Sequence, residues 1–503
     1  MSFWLGISGA SCQDLVRAAL DTDPRVMPVP GPPRLAWQAS RSAMLHWGSR
    51  PRDAVCEIRA LTSVARTDPV YLGSRGDAIV IGNRASWVAS VTGRLTDHDP
   101  VMAAALLNLG FPLGDVTPYR GVRALGGARE AIATDGRLTT RPVVSDPPRA
   151  GVADALTDTV APLRSAGELV DADLTGGKDS RLIAAALTAA KVPFRARTHG
   201  ADGHPDVITA AAVAARLGVE HIVTTPKPAA AVTTDDVLAR VRGAALVGDG
   251  MLSAFENTGR PDPEFAADVI HVGGHGGELL RGGYASYAAG RLATLRGAAQ
   301  FRRLTTGRLH LLRPAAAAAY LAALTPWTAA FALGPRRVLD DFYLVNRVGR
   351  WSAAARQAYL LREQLCQPFF ADDVVRAARA IPLRDRLASY CYQNVLSCLA
   401  PDLLDIPLAG RVPAGLDWRR SLPPAIAAFL RGYVLDQGTP LFDIVSRRAA
   451  EHALRASDRP SGPQAGPQAG PPAGPPGDPA AVWALATLAA RLSGDWLNAR
   501  QGY

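Results

Sequence analysis

The stretch Val170-Asp171-Ala172-Asp173-Leu174-Thr175-Gly176-Gly177-Lys178-Asp179-Ser180-Arg181, running on into Leu182-Ile183-Ala184-Ala185-Ala186-Leu187, decides the fold. It joins a short apolar strand to an alanine-rich helix through a Gly-Gly turn edged with hydroxyl and acidic residues. Gly176 and Gly177 let the backbone approach an anion, and Thr175 and Ser180 offer hydroxyls. A helix starting near Asp179 aims its free N–H groups and the positive end of its dipole at the same point. The pattern predicts a pyrophosphate-binding loop; the plainer alternative is a Gly-Gly turn capping an ordinary strand-helix unit. Asp179 would repel a bare phosphate, so its carboxylate implies Mg2+ carried in with ATP.

Working outward, residues 192–198 read as a second strand, Asp206 to Leu217 as a helix closed by Gly218, and residues 219–223 as a third strand. Strands alternating with helices predict a doubly wound parallel sheet of the α/β class, with its ligand at the carboxyl ends of the strands. A further strand over Asp268 to Val272 leads into Gly273-Gly274-His275-Gly276-Gly277-Glu278-Leu279-Leu280-Arg281-Gly282-Gly283-Tyr284. Gly274 and Gly276 again permit close wrapping of backbone, His275 is titratable, and Glu278 supplies a hard oxygen ligand.

The two turns together resemble the asparagine synthetase superfamily of ATP-pyrophosphatases, in which Ser-Gly-Gly-x-Asp-Ser grips pyrophosphate and a later glycine turn carries a second metal-binding carboxylate. Thr175 stands for the first Ser, and Glu278 stands where the family usually has Asp. Residues 64–85, 118–123 and 367–372 extend the resemblance weakly over most of the chain. It implies a vestigial Ntn-glutaminase-like αββα domain over 1–150 and an ATP-dependent synthetase or cyclase domain over 151–457, its doubly wound parallel sheet carrying added helices.

Glutamine-hydrolysing members carry a cysteine nucleophile directly after the initiator methionine. Here Met1 is followed by Ser2 and the first cysteine is Cys12, so the resemblance implies an amino-terminal relic and an amine supplied by the substrate. Among members without a glutaminase, β-lactam and carbapenam synthetases place a tyrosine in the second turn and a lysine in the carboxyl-terminal part. This chain has His275 there, and its lysines are Lys178, Lys191 and Lys227. The segment from Leu399 to Arg411 instead resembles the lasso peptide cyclases.

That resemblance implies macrolactam formation in a ribosomally made precursor. An Asp or Glu side chain is adenylated, the core peptide's amino terminus attacks, and AMP and pyrophosphate leave. Asp179 and Glu278 would hold Mg2+ against ATP, with Thr175, Gly176, Gly177, Ser180, Gly274 and Gly276 around the phosphates. His275 is the candidate base or a residue shaping the pocket; Arg411 is the candidate permanent charge or a structural ion-pair partner. Glu363 and Tyr359, four apart on an expected helix before Pro368, are weaker candidates. The lasso precursor or core peptide, a leader-binding protein and a leader peptidase are the implied partners. A β-lactam-synthetase-like or asparagine-synthetase-like ligase for a small amino acid is the alternative.

Composition agrees: 503 residues, 48% hydrophobic and 20% charged, suit a soluble globular chain of two or three domains. The net charge of +10 raises nucleic-acid binding, but the charge is spread over the chain, with no basic tract or recognisable module, so no nucleic acid is expected. Five cysteines without Cys-x-x-Cys spacing argue against a disulfide framework and structural zinc. No signal peptide is evident, the alanine run Pro314 to Leu324 is too short to span a bilayer, and a cytoplasmic location away from membranes is expected. Repeated Gly-Pro-Gln-Ala-Gly units predict a disordered insertion over 458–478, before a carboxyl-terminal helix of the synthetase domain within 479–503.

Overall fold

The structure, a computed structural model, describes residues 5–8, 45–49, 56–144, 146–148, 150–225, 231–256, 266–287, 293–331, 334–360, 363–388, 390–410, 418–456 and 478–496. Ser2, Cys12, Arg411 and all but the last residue of the expected insertion lie outside them.

The first part is two four-stranded antiparallel sheets. One has the order β1 (Leu5–Ser8), β5 (Ala78–Gly82), β4 (Tyr71–Arg75), β6 (Arg123–Ala124); the other has β2 (Leu45–Ser49), β3 (Cys56–Leu61), β7 (Arg129–Thr134), β8 (Arg137–Pro142). Ile58, Ala60, Ala131 and Ala133 of the second sheet and Leu72, Ile79 and Ile81 of the first share one apolar layer, so the sheets face each other. The helix Ala85–Val91 covers the outer side of β4 and β5. The second helical layer of the expected αββα arrangement is not found among the described residues.

The second part carries a five-stranded sheet, β11 (His221–Thr224), β10 (Arg195–His199), β9 (Leu169–Asp173), β12 (Ala266–Val272), β13 (Glu363–Cys366), with every neighbouring pair parallel. The chain leaves β9 toward β10 and β11, then crosses back to β12 and β13. The winding therefore reverses between β9 and β12, and in open α/β sheets a ligand sits at such a reversal, outside the carboxyl ends of the strands. Both glycine turns emerge there.

One face of this sheet is apolar. Val170, Ala172, Ala196, Ile270 and Val272 pack with Leu182, Ile183 and Leu187 of the helix Lys178–Ala189 and with Leu156 of the helix Val152–Val160. Because side chains alternate along a strand, Asp171, Arg195, Arg197 and His271 share the other face. Arg195 holds both carboxylate oxygens of Asp171 at 2.8 and 3.1 Å, and Arg197 Nη1 lies 2.8 Å from His271 Nε2.

The expected helix through Tyr359 and Glu363 is corrected. The helix ends at Leu360, and Glu363 opens β13. Gln364, Leu365 and Cys366 pair with β12, and this non-local pairing overrides the four-residue spacing. Glu363 stands at the amino-terminal end of its strand, three residues of extended chain, or about 10 Å, from the carboxyl end where the glycine turns lie.

The helix Pro479–Leu492, with Trp483 fully buried, packs against the helices Pro100–Leu109, Thr234–Val247 and Pro424–Gln437 and so ties the first part to the second. Asp478 caps it and accepts from Arg308 Nε at 2.6 Å. Among the described residues no helix is long and apolar enough to cross a membrane.

Candidate active site

The first glycine loop is closed by its own hydroxyls. Thr175 N–H donates to Ser180 Oγ at 3.0 Å, the two hydroxyl oxygens lie 3.0 Å apart, and Gly177 N–H donates to Thr175 Oγ1 at 3.2 Å. Gly176 N–H donates to Asp206 Oδ1 at 3.0 Å, so this amide is held by the next helix. The helix Lys178–Ala189 starts from Gly177 with no side chain capping it, leaving its first N–H groups for an anion.

A strap from farther along closes over this loop. Ala409 N–H donates to Gly176 O at 3.0 Å, and a Cβ on Gly176 would collide with Ala409. Arg181, fully buried, fixes the strap by donating to the carbonyls of Leu403, Ile406 and Pro407 at 3.1, 2.6 and 3.0 Å.

The second turn lies directly on the first. A Cβ on Gly274 would sit 2.8 Å from the backbone nitrogen of Ser180, and one on Gly277 would strike the carboxylate of Asp179. Gly276, at φ +98°, adopts a conformation in which side chains are strained, with the Phe369 and Phe370 side chains against it. From the short helix Gly277–Arg281, Arg281 grips both carboxylate oxygens of Asp179, with Nη2 3.0 Å from Oδ2. Glu278 accepts a hydrogen bond of 3.0 Å from Tyr343 Oη. The turn is anchored beneath by Arg386, which donates to Leu279 O at 3.0 Å and pairs with buried Asp340.

The electrostatics are those of a crowded cluster of acidic side chains. Burial pushes the Asp179 carboxyl above its usual range, against the pull of Arg281, and nearby Glu278 pushes the same way as burial. Burial also raises Glu278, but the Arg281 charge and the Tyr343 hydroxyl outweigh it and hold that carboxyl low. Asp173, at the end of β9, is raised by burial and pulled down by His275 and Arg197. Gly273 lies between Asp173 and His275: its Cβ would be 3.5 Å from Asp173 Oδ2 and 4.0 Å from His275 Nδ1.

Thr175, Gly176, Gly177, Asp179, Ser180, Gly274, His275, Gly276 and Glu278 thus gather at one place. Glu363 is not among them, and Arg411 falls just past the described strap. Residues that the sequence reading passed over are Arg281, Tyr343, Asp206, Asp173 and Arg181. Of these, Asp173 and Arg181 carried a signal by lying in or beside the first motif, and Arg281 by lying in the second.

The asparagine synthase family profile matches residues 151–405, from the helix before β9 to the strap. The chain belongs to the asparagine synthase family. No curated protein matches the chain. Enzymes of the asparagine synthase family use ATP, usually with Mg2+, to form amide bonds. Asp179 and Glu278 are the acidic side chains of the two turns that could hold that cation, Arg281 now occupying both oxygens of Asp179. Asp179 and Glu278 are close enough to feel each other's charge, and among the described residues no cluster of three or more His, Cys, Asp or Glu side chains that could hold a metal ion is found. Mg2+ is characteristically held by one or two carboxylates, with water and phosphate oxygens completing its coordination.

Proposed function

We propose that this chain is an AMP-forming amide ligase that closes an isopeptide ring in a lasso peptide precursor. The observation that carries the ligase reading is the pressing of one glycine turn on the other at the winding reversal, with Asp179 and Glu278 close enough to feel each other's charge. Asp179 and Glu278 would hold Mg2+, which when bound neutralises phosphate charge. The uncapped start of the helix Lys178–Ala189 receives the departing pyrophosphate.

In the reaction a side-chain carboxylate oxygen attacks the α-phosphorus of ATP, and the bond to pyrophosphate breaks. The amino terminus of the same peptide then attacks the activated carbonyl, AMP leaves, and the nitrogen gives up a proton. His275, exposed and near Asp173, would accept it. The peptide reading is supported by His275 standing where β-lactam-forming relatives present tyrosine, and by Lys178, Lys191 and Lys227 being the only lysines. A core peptide delivered by a leader-binding protein and trimmed by a peptidase would supply the amine.

Mass spectrometry tests this with a candidate precursor peptide, sought among short reading frames near the gene. A product lighter by one water, formed only with Mg-ATP and accompanied by AMP, is expected. Turnover of a free amino acid alone would favour the small-substrate ligase instead.

A further inference from the structure

The segment Tyr343–Ser352 is a π-helix, a rare form found mostly as short bulges at functional sites. Tyr343, Arg347 and Trp351, each four residues apart, lie along one side of it, next to the second glycine turn. Tyr343 bonds to Glu278, and the Trp351 ring lies 5.8 Å from the His275 ring. Between them the Arg347 guanidinium carbon sits 3.3 Å from the centre of the Trp351 ring, with Phe111 at 5.9 Å.

Arg350 of the same helix is fully buried and donates to Val116 O, and four further arginines of this region are paired with carboxylates. Arg356 pairs with Asp68, Arg66 with Asp115, Arg386 with Asp340, and Arg281 with Asp179. Arg347 is half-buried, and no carboxylate among the described residues lies within ion-pair distance of it. Its charge nevertheless reaches the site: it adds to the larger effect of Arg281 in holding Glu278 low, and it partly opposes the burial that raises the Tyr343 hydroxyl. Stacking on indole fixes the guanidinium plane while leaving its N–H edge available, so little freedom remains to be lost on binding a planar oxyanion.

A substrate carboxylate entering this cleft meets Asp173, Asp179 and Glu278, and needs a cation that is not already neutralised. We infer that Arg347, braced on Trp351, is the receptor for the carboxylate of the acceptor substrate. The inference rests on the amide-ligase reading for what that carboxylate is used for, but not for its binding. The same guanidinium chemistry would also suit a nucleotide phosphate, and the test separates the two.

The intact chain is loaded with Mg2+ and α,β-methylene-ATP and titrated, by saturation-transfer NMR, with N-acetyl-aspartate α-methylamide and N-acetyl-glutamate α-methylamide. The matching asparagine and glutamine amides are the neutral controls. The wild-type chain is expected to bind a carboxylate probe and not its amide. Arg347→Gln should weaken carboxylate binding at least about tenfold and Arg347→Lys less, while affinity for the ATP analogue stays within about twofold and confirms folding. Arg347→Gln binding the probe like wild type overturns the inference, as does equal binding of acid and amide. Loss of ATP-analogue affinity in Arg347→Gln with the probe unaffected also overturns it and gives the guanidinium to phosphate. Arg347-dependent binding without AMP formation from any peptide would keep the receptor and reject the ligase.

Discussion

The guanidinium of Arg281 holds both carboxylate oxygens of Asp179, joining the second glycine turn to the first across 102 residues of sequence. It supplies positive charge at the place where the family's chemistry calls for a cation. Both side chains are largely buried, so each satisfies the other's desolvated charge. Replacing Arg281 with Met leaves Asp179 beside Glu278 without that compensation. Urea unfolding should show a loss of about 1.5–3 kcal/mol without nucleotide. Mg-ATP should raise Tm more in Arg281→Met than in the wild-type chain, because the divalent cation relieves the same repulsion. Equal nucleotide stabilisation of both would argue against Asp179 as a Mg2+ ligand.

Asp179→Asn and Glu278→Gln keep the side-chain shapes and remove a ligand charge each. AMP formation should fall at least about 100-fold in either variant, with far-ultraviolet circular dichroism unchanged. Normal turnover in Asp179→Asn would remove that residue from the site.

Close approach of the two turns gives a steric prediction. Gly274→Ala places a methyl 2.8 Å from the Ser180 backbone nitrogen, where no flexible side chain can yield. Nucleotide affinity, followed by calorimetry, should drop at least about tenfold, since the loops must separate. Gly432→Ala, in the helix Pro424–Gln437 with nothing within 4 Å of the added carbon, is the control. It should be neutral or stabilising by about 0.4–1 kcal/mol.

The first loop, the strand before it and the helix after it were legible because local chemistry dictates them: apolar alternation, a Gly-Gly turn and an alanine run. The expected helix from Asp206 needed only one residue more, Pro205, with His204 as its cap. Glu363 misled because a four-residue spacing mimics a helix, while the pairing that makes β13 involves residues nearly a hundred positions earlier. Arg281 stood inside the second glycine-rich turn, but its partner Asp179 lies 102 residues earlier, so the pairing that gives it a role is non-local. The Tyr343, Arg347, Trp351 row has the four-residue spacing of any helical face, so its spacing alone did not mark it as part of the site; what does is the contact of Tyr343 with Glu278 and of Trp351 with His275, which the fold supplies.

Acid stability should depend on His98. Burial and then the Arg491 charge lower its pKa to about 4, with Arg491 Nη2 3.4 Å from His98 Nδ1. An unfolded chain binds a proton near pH 6.5 and the folded chain does not, so this contribution is full above pH 6.5 and fades as pH falls toward 4. His98→Gln should flatten the stability profile between pH 6.5 and 4 relative to wild type. An unchanged slope in urea titrations across that window would contradict the assignment.

The most direct test of the account labels the acceptor carboxylate with oxygen-18 in the precursor peptide and incubates it with the chain and Mg-ATP. Adenylation predicts one labelled oxygen transferred to AMP, beside a peptide lighter by one water. Unlabelled AMP, or ADP with the label in inorganic phosphate, would contradict it.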